Sequence, residues 1–584
     1  MNRKFIILTT LLVTRLVLPQ ITDEWITYFE KSGFTATPGY DMSMEYFQKL
    51  ADYSPWAEFK SFGISPQGRE LKFLIVSKDK AFSLPESKEI HKPIVLIING
   101  IHSGEIGGKD ASMLLLRDIL ITKEKESLID SVTLLIVPIF NVDGHERMSR
   151  YNRINQNGPE EMGWRTTAQN LNLNRDWMKA DAPEMRAMLK LYSEWLPDFI
   201  IDTHATDGAD YQYTVTYSVE KFSNIYSRTA NWLKERFIPL LEKGVQEKGF
   251  LVHRYIYLRK WREGLDGGII DWASSPRFST GYAALQNRPG LLIETHMMKP
   301  YKERVYSTKA MLETVIKIVN TNATDLIDLN LEADIKSAVN LLKQKKYLPV
   351  SFEESNQYNL IDLKGYEYYR QPSQISGSDK LVYSDVKKDF KIKFYNDIVP
   401  IDSVQLPKAY LIPKEWRNVV DVLKTHGIQV SSLEVDTLIE VTKYHFKTVK
   451  FDTASYEGRQ RVNFEYDLIR EKRNVPSATF FIPTNQRTIR VIANLLEPKS
   501  GDSFIRWGFM NSIFEQKEYF ENYVMEKIAE EMLNKDAELR EDFQNKLNED
   551  EEFRNNPEER LNFFYKRSPY YDKNYQVYPV MRID

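Results

Sequence analysis

The chain of 584 residues contains no cysteine. That absence excludes disulfides, thiolate nucleophiles, iron–sulfur clusters, cysteine zinc sites and a lipid-modified cysteine anchor. Histidine is scarce, with eight residues, so any metal site must combine those few imidazoles with carboxylates. One-sided charge is missing as well: 79 basic and 82 acidic side chains leave a formal net charge of −3. Such a balance, spread along the chain, offers no field for nucleic acid or an anionic membrane. There is no internal repeat and no low-complexity linker. Beyond the first twenty residues no apolar run has the length of a membrane span. The length itself allows roughly two to four domains, so core burial is not limiting.

At the N-terminus, Arg3 and Lys4 precede the mostly apolar Phe5–Thr14, and Arg15 interrupts before Leu16–Leu18. A basic start followed by an apolar run of this length predicts a signal peptide over residues 1–20 and a secreted or periplasmic protein.

Residues 90–320 alternate short, continuous apolar runs with longer stretches of helical periodicity. Ile94–Ile98, Val132–Val137, Phe199–Ile201 and Leu291–Ile293 are apolar on both faces and rich in Ile and Val, as buried parallel strands are. Between them Lys109–Ile121 and Glu184–Trp195 repeat apolar residues at three and four, which predicts helices. Further helices are expected near 224–248 and 302–320. This alternation predicts an α/β fold with a mostly parallel twisted sheet sandwiched by helices. After about residue 330 the texture changes. An accessory α/β or β-rich domain is expected over 331–505 and a helical acidic segment over 506–584, together a C-terminal α+β region whose motifs carry no recognisable chemistry.

The polar residues just beyond each buried strand are the informative feature. Ile94–Ile98 leads into Asn99-Gly100-Ile101-His102-Ser103-Gly104-Glu105, and Val132–Val137 into Asn141-Val142-Asp143-Gly144 by way of Pro138–Phe140. Phe199–Ile201 runs into Asp202-Thr203-His204, and Leu291–Ile293 into Glu294-Thr295-His296. Ligands of open α/β sheets bind outside the carboxyl ends of the strands, and four strands bring polar residues to that edge. His102-x-x-Glu105 with the distant His204 offers two imidazoles and one carboxylate, a catalytic zinc set with a fourth position left for water. Spacing alone is weak, since chance gives about one His-x-x-acid in such a chain and His204-x-x-Asp207 is another. Position after a buried strand adds the weight. His145 and His296 stay off the ligand set, and His91, His253, His426 and His445 have no acid at ligand spacing.

Taken in order over about residues 40–325, these motifs resemble the funnelin-type zinc carboxypeptidases, the family of the pancreatic digestive carboxypeptidases. His102, Glu105 and His204 match the family's metal ligands. Asn141-Val142-Asp143-Gly144 resembles its Asn-Pro-Asp-Gly turn, with Val142 in place of proline. Trp164-Arg165 resembles the pair whose arginine binds the scissile carbonyl, and Asn174-Arg175 the pair that holds the terminal carboxylate. Gly267-Gly268-Ile269-Ile270-Asp271-Trp272 resembles the lining of the specificity pocket, and Glu294 falls at the place of the catalytic glutamate. Two departures stand out. The family's arginine before the ligand glutamate is Gly104 here, and its tyrosine upstream of the Gly-Gly turn is Glu263. The first removes a contact to extended peptide and the second a residue that closes on the carboxylate.

The resemblance implies a catalytic domain over 21–330, one zinc ion per chain and a peptide substrate with a free C-terminus. Glu294 would act as general base and then acid, Arg165 would stabilise the oxyanion, and Asn174 with Arg175 would bind the carboxylate. Ile270 points to an uncharged leaving residue, although Arg262 and Asp271 nearby leave the opposite open. Arg165 as a surface residue beside Trp164, and Arg175 in an ion pair with Asp176 or Asp181, are competing readings. Two other functions also stay open: a zinc amidase or peptidase acting on cell-wall peptides or acylated amino acids, and a non-catalytic binding module.

Overall fold

A computed structural model of the chain describes residues 22–206, 208–343 and 347–584. The expected signal peptide and Asp207 lie outside the described residues. Among these residues no helix is long and apolar enough to cross a membrane.

The first large sheet has eight strands: β1 (Ala57–Ile64), β2 (Glu70–Val76), β3 (Ile94–Ile98), β4 (Thr133–Val137), β5 (Phe199–Thr206), β6 (Val215–Val219), β7 (Val252–Arg254) and, completing it, the later strand Gly290–His296. Between β7 and that strand lie two short ones, β8 (Tyr257–Leu258) and β9 (Ile269–Ile270), so Gly290–His296 is β10. The order is β1-β2-β4-β3-β5-β10-β6-β7. The central four, β4-β3-β5-β10, run parallel, while β1, β2 and β6 join antiparallel. The sheet is therefore mixed, with the parallel part where the apolar runs predicted it. All five residues of β3 and of β4 are buried, whereas in β1 at the edge only Ala57 is buried and the rest are half-buried or exposed. Strands covered on both faces need apolar residues throughout, and each buried Ile, Leu or Val side chain there contributes about 1.5–3 kcal/mol.

On one face, Val95, Ile97, Phe199 and Ile201 join a core with Met113 and Leu116 of the helix Gly107–Leu120 and Val315 and Ile316 of the helix Tyr301–Thr321. The helix Ser279–Leu285 packs on β5 and β10, and its Tyr282 meets Tyr192 of the helix Pro183–Trp195 edge to face, ring centroids 5.3 Å apart. Gly108 sets how close the first helix comes to the strand ends. A Cβ there would lie 2.1 Å from Thr203 Oγ1 and 2.4 Å from Asn99 Oδ1, so only glycine lets the helix start this close to β5, which carries His204, and to the loop after β3, which carries His102.

The chain divides into two compact units, one of residues up to Lys336 with Phe352–Ile401, the other of Ser337–Ser351 with Asp402–Asp584. The boundary expected at 330 falls inside a continuous helix, Ala323–Lys343. β11 (Tyr347–Glu354) pairs with β14 (Ile398–Gln405). Between them in sequence, the hairpin of β12 (Asn359–Pro372) and β13 (Asp379–Tyr395) groups with the first unit. Its β13 pairs in parallel with β9, Phe394 opposite Ile269 and Tyr395 opposite Ile270, extending a four-stranded sheet β12-β13-β9-β8. Leu363, Ile392 and Phe394 of the hairpin share a small core with Tyr211, Leu258 and Ile269.

The second unit is built on a six-stranded sheet of β15 (Ala409–Ile412), β16 (Ser431–Ser432), β17 (Thr437–Phe451), β18 (Val462–Val475), β19 (Phe480–Pro483) and β20 (Met581–Ile583), in the order β16-β19-β15-β20-β17-β18. The helices of 522–565 come next in the chain, with Phe543, Phe553, Phe563 and Phe564 clustered in their core. The C-terminal strand β20 sits between β15 and β17, with Arg582 opposite both Tyr410 and Thr442. Arg582 Nη1 lies 3.3 Å from the buried carboxylate of Glu497, which also accepts from the Tyr410 and Tyr444 hydroxyls. A buried carboxylate deprived of its cation is strongly destabilising. Arg582→Met is expected to lower the stability of the second unit by about 3–5 kcal/mol, read from its denaturant transition. A change below about 1 kcal/mol would show that the tyrosines alone satisfy Glu497.

Candidate metal centre and catalytic cleft

The loop after β3 is fixed at its start by Asn99, whose side chain donates to Val137 O (3.1 Å) and Ser112 Oγ (3.2 Å) and accepts from Thr203 Oγ1 (2.8 Å). Further on, Ser103 Oγ donates to Asn141 O at 2.6 Å. The loop thereby turns His102 and Glu105 inward over the sheet edge, where β5 delivers His204. One ligand atom from each of His102, Glu105 and His204 lies within 4.8 Å of the others, and all three residues are buried. Glu294 of β10 is the register partner of His204 across the parallel β5–β10 pair.

Both imidazoles turn the same nitrogen toward the carboxylate. His102 Nδ1 is 3.3 Å from Glu105 Oε1, and His204 Nδ1 is 2.9 Å from Glu105 Oε2. Their Nε2 atoms are taken by outer partners, Asn172 Oδ1 at 3.0 Å and Asp202 Oδ2 at 2.9 Å. Oxygen on one ring nitrogen fixes the tautomer and frees the other to coordinate. Buried His102 Nδ1 has no hydrogen-bond partner of good geometry. Two such nitrogens around one carboxylate, with a cleft open beside them, form a donor set that suits a tetrahedral, borderline-soft dication.

Electrostatics agree with that use at His102 and Glu105, whereas His204 would have to give up a proton to a bound cation. Burial pushes His102 down to about 4, against the pull of Glu105, so its imidazole is neutral and able to coordinate. Burial opposes ionisation of Glu105, but Arg153 and His102 overcome it and hold its carboxyl well below the usual range. Burial likewise opposes a charged His204, yet Asp202 and Glu105 carry it well above the ordinary imidazole value. Burial raises Glu294 to about 8 against the pull of His204, with Glu105 and Asp202 adding to the rise. A carboxyl near the operating pH is what proton transfer needs.

All the residues singled out in the sequence as ligands, catalysts or substrate contacts line one cleft of about 510 Å³. Arg165 reaches Glu105 Oε1 at 3.1 Å with its side chain 41% exposed to the cleft. Trp164 is covered by Arg147 instead, 5.0 Å from its ring centroid. Arg175 lies over the Phe278 ring at 4.4 Å and donates to Asn174 O. Asp176 and Asp181 are both bound to Lys179, at 2.6 and 3.1 Å. Asn174 Oδ1 accepts from Ser279 N, and its Nδ2 is 3.4 Å from His204 Nε2. Ile270 and Leu292 supply apolar wall. Asp271 is held by Lys221 and Arg262 is exposed, so neither offers a free charge to the pocket.

Other sequence features go elsewhere. Asp143 of the Asn141–Gly144 turn is tied to Ser65 and Arg69, and Asn141 Nδ2 donates to Arg165 O, so this turn is a scaffold. His296 bonds Asp210 and His145 bonds Glu146. Glu263 is exposed and paired with Lys260, whereas Tyr255 and Tyr257 face the cleft, Tyr255 bonded to Thr206 at 2.8 Å. Asn172, Asp202, Tyr255 and Arg153 are further neighbours of the cluster that the sequence does not single out. Asp202 alone leaves a signal: two residues before His204 on one strand, it shares that strand's face.

Residues 43–307 match the family model described as zinc carboxypeptidase. Carboxypeptidase 2 of Trichophyton rubrum is 23% identical over 499 residues, covering 82% of this chain and 85% of its own. Carboxypeptidase 2 of Trichophyton tonsurans is 23% identical over 508 residues with the same shares. Among solved structures, a metallo-carboxypeptidase from Burkholderia cenocepacia aligns at 20% identity with a TM-score of 0.36, over 49% of this chain and 70% of its own.

Proposed function

We propose that the chain, whose residues 43–307 match the zinc carboxypeptidase family model, hydrolyses the C-terminal peptide bond of peptides with a free carboxylate. The observation that carries this reading is the meeting of His102, Glu105 and His204 beside Glu294 at the carboxyl edge of the parallel strands. A zinc ion held by those three residues would act as a Lewis acid and bring the pKa of a water toward ~7. Glu294 accepts a proton from the attacking water at a carboxylate oxygen and returns it to the nitrogen of the leaving amine. Arg165 donates hydrogen bonds to the oxygen that gains charge as the carbonyl becomes tetrahedral. The planar fork of Arg175 and the amide of Asn174 bind the terminal carboxylate, which selects the last peptide bond over internal ones. Asp202 and Asn172 keep the two imidazoles in the coordinating tautomer.

Ile270 and Leu292, with the charge of Asp271 neutralised by Lys221, favour an uncharged, apolar leaving residue. Export is supported by the basic and then apolar start of the sequence, Arg3–Leu18.

The test is to load the full chain with zinc and assay residue release from a peptide library in free-acid and C-terminally amidated forms. Release from the free acids alone is expected, and equal cleavage of the amides would point to an amidase instead. Arg175→Met is expected to raise KM for free-acid peptides by about 10–100-fold, the worth of a charge-assisted hydrogen bond, with a smaller change in kcat. An unchanged KM would remove Arg175 from carboxylate binding.

A further inference from the structure

We propose that Arg153 is a substrate-positioning residue that binds the backbone carbonyl lying upstream of the scissile bond, from a loop other than the one carrying the ligands. The proposal rests on the peptide-hydrolase reading above and extends it to the acyl side of the cleft.

The contacts around the metal cluster form a chain. Arg153 Nη2 meets Glu105 Oε1 at 2.8 Å, and Glu105 Oε2 meets His204. His204 neighbours Asn174, and Asn174 leads directly to Arg175. In this chain of contacts Arg153 touches the cluster at Glu105, whereas Asn174 and Arg175 reach it at His204. A peptide with its carboxylate at Arg175 and its scissile carbonyl at the cluster extends its preceding residue toward Arg153. Both arginines line the same cleft.

Gly104 makes this placement possible. A Cβ on residue 104 would lie 2.2 Å from Arg153 Cδ and 2.9 Å from Gly163 O. The methylenes of Arg153 occupy the space in which any side chain at 104 would begin, so a cation lost from one loop is supplied by another. The arm is held in place. Arg153 Nε donates to Gln156 Oε1 at 2.8 Å, while Gln156 Nε2 donates to Gly104 O at 2.7 Å and to Gly158 O at 2.9 Å. One buried amide thus binds the arginine loop to the ligand loop, and a positioned guanidinium loses little freedom on meeting a substrate oxygen. Charge counting points the same way. Glu105 Oε1 already has Arg165 Nη1 at 3.1 Å, so a second guanidinium on that oxygen exceeds what neutralising one carboxylate requires.

The test uses zinc-loaded full chain and two compounds: propionyl-phenylalanine, with no carbonyl upstream of the scissile one, and N-acetyl-alanyl-phenylalanine, with one. Binding of each is measured by calorimetry in the Glu294→Gln background, and turnover in the native background. The acetylated dipeptide is expected to bind better than the shorter compound, and Arg153→Met to remove about tenfold or more of that advantage, with Arg153→Lys restoring part of it. In turnover the loss should fall on KM rather than kcat, with one zinc per chain retained. Equal losses on both compounds together with lowered zinc content would overturn the proposal and leave Arg153 a support for Glu105. Absence of any length dependence in the unaltered cleft would overturn it as well. Length-dependent binding that needs Arg153, in a protein that releases no residue, would keep this proposal and remove the hydrolytic one.

Discussion

Glu294→Gln is expected to lower kcat for peptide release by about a thousandfold while the protein keeps its zinc. The substitution conserves shape and removes only the proton-accepting oxygen. Positioned general acid–base groups contribute about 10²–10⁴ in rate, and Glu294 is assigned both transfers, so about 4 kcal/mol of barrier is at stake. His102, Glu105 and His204 keep their mutual contacts, and KM should move little because Arg175 and Asn174 are untouched. Steady-state kinetics and metal analysis on one preparation check both halves. Release that persists within about tenfold of the native rate would remove Glu294 from proton transfer.

His204→Ala is expected to abolish both zinc retention and turnover. His204 is one of the two proposed nitrogen ligands, and its loss leaves Glu105 with His102 alone. Native protein should gain about 4 kcal/mol of stability when free zinc exceeds its dissociation constant about a thousandfold, and a chelator should reverse this gain. His204→Ala should show no such zinc-dependent shift in thermal denaturation. Asp202→Asn gives the graded case. It keeps an oxygen near His204 Nε2 but loses the charge, so zinc affinity should fall by about 10–100-fold and turnover should return at higher metal concentration. A His204→Ala protein that still bound zinc stoichiometrically would place the metal elsewhere.

The proposed ligands and base are legible in the sequence for a physical reason. β3 and the first half of β5 and of β10 are largely buried and apolar, so polar residues stand out where each apolar run stops, just past the end of β3 and within β5 and β10. That contrast exposes His102, Glu105, His204 and Glu294. Residues that orient the site have no such background. Asn172 and Arg153 lie in loops where polar residues are the rule, and their importance comes from the path of 153–177 over the ligand loop. Gly104 reads as a loss because only the folded loop reveals what fills its space. The antiparallel edges of the main sheet, the entry of β20 between β15 and β17, and the pairing of β13 with β9 join residues far apart in sequence. Alternating or short strands of this kind do not announce their partners.

The hairpin of β12 and β13 also sets an order of events. Ile270 leaves the ribosome 125 residues ahead of Tyr395, its neighbour in the sheet. At about 5–20 residues per second, synthesis of that interval takes about 6–25 s. The three proposed ligands precede it and Glu294 follows 24 residues into it, while the strand carrying Ile270 still lacks its outer partner and Asp271 N lacks the Tyr395 carbonyl it will bond. The wall that grips a leaving residue is therefore finished well after the residues that would cut it. In a chain read as a peptidase, this delay separates the making of the blade from the closing of the vice.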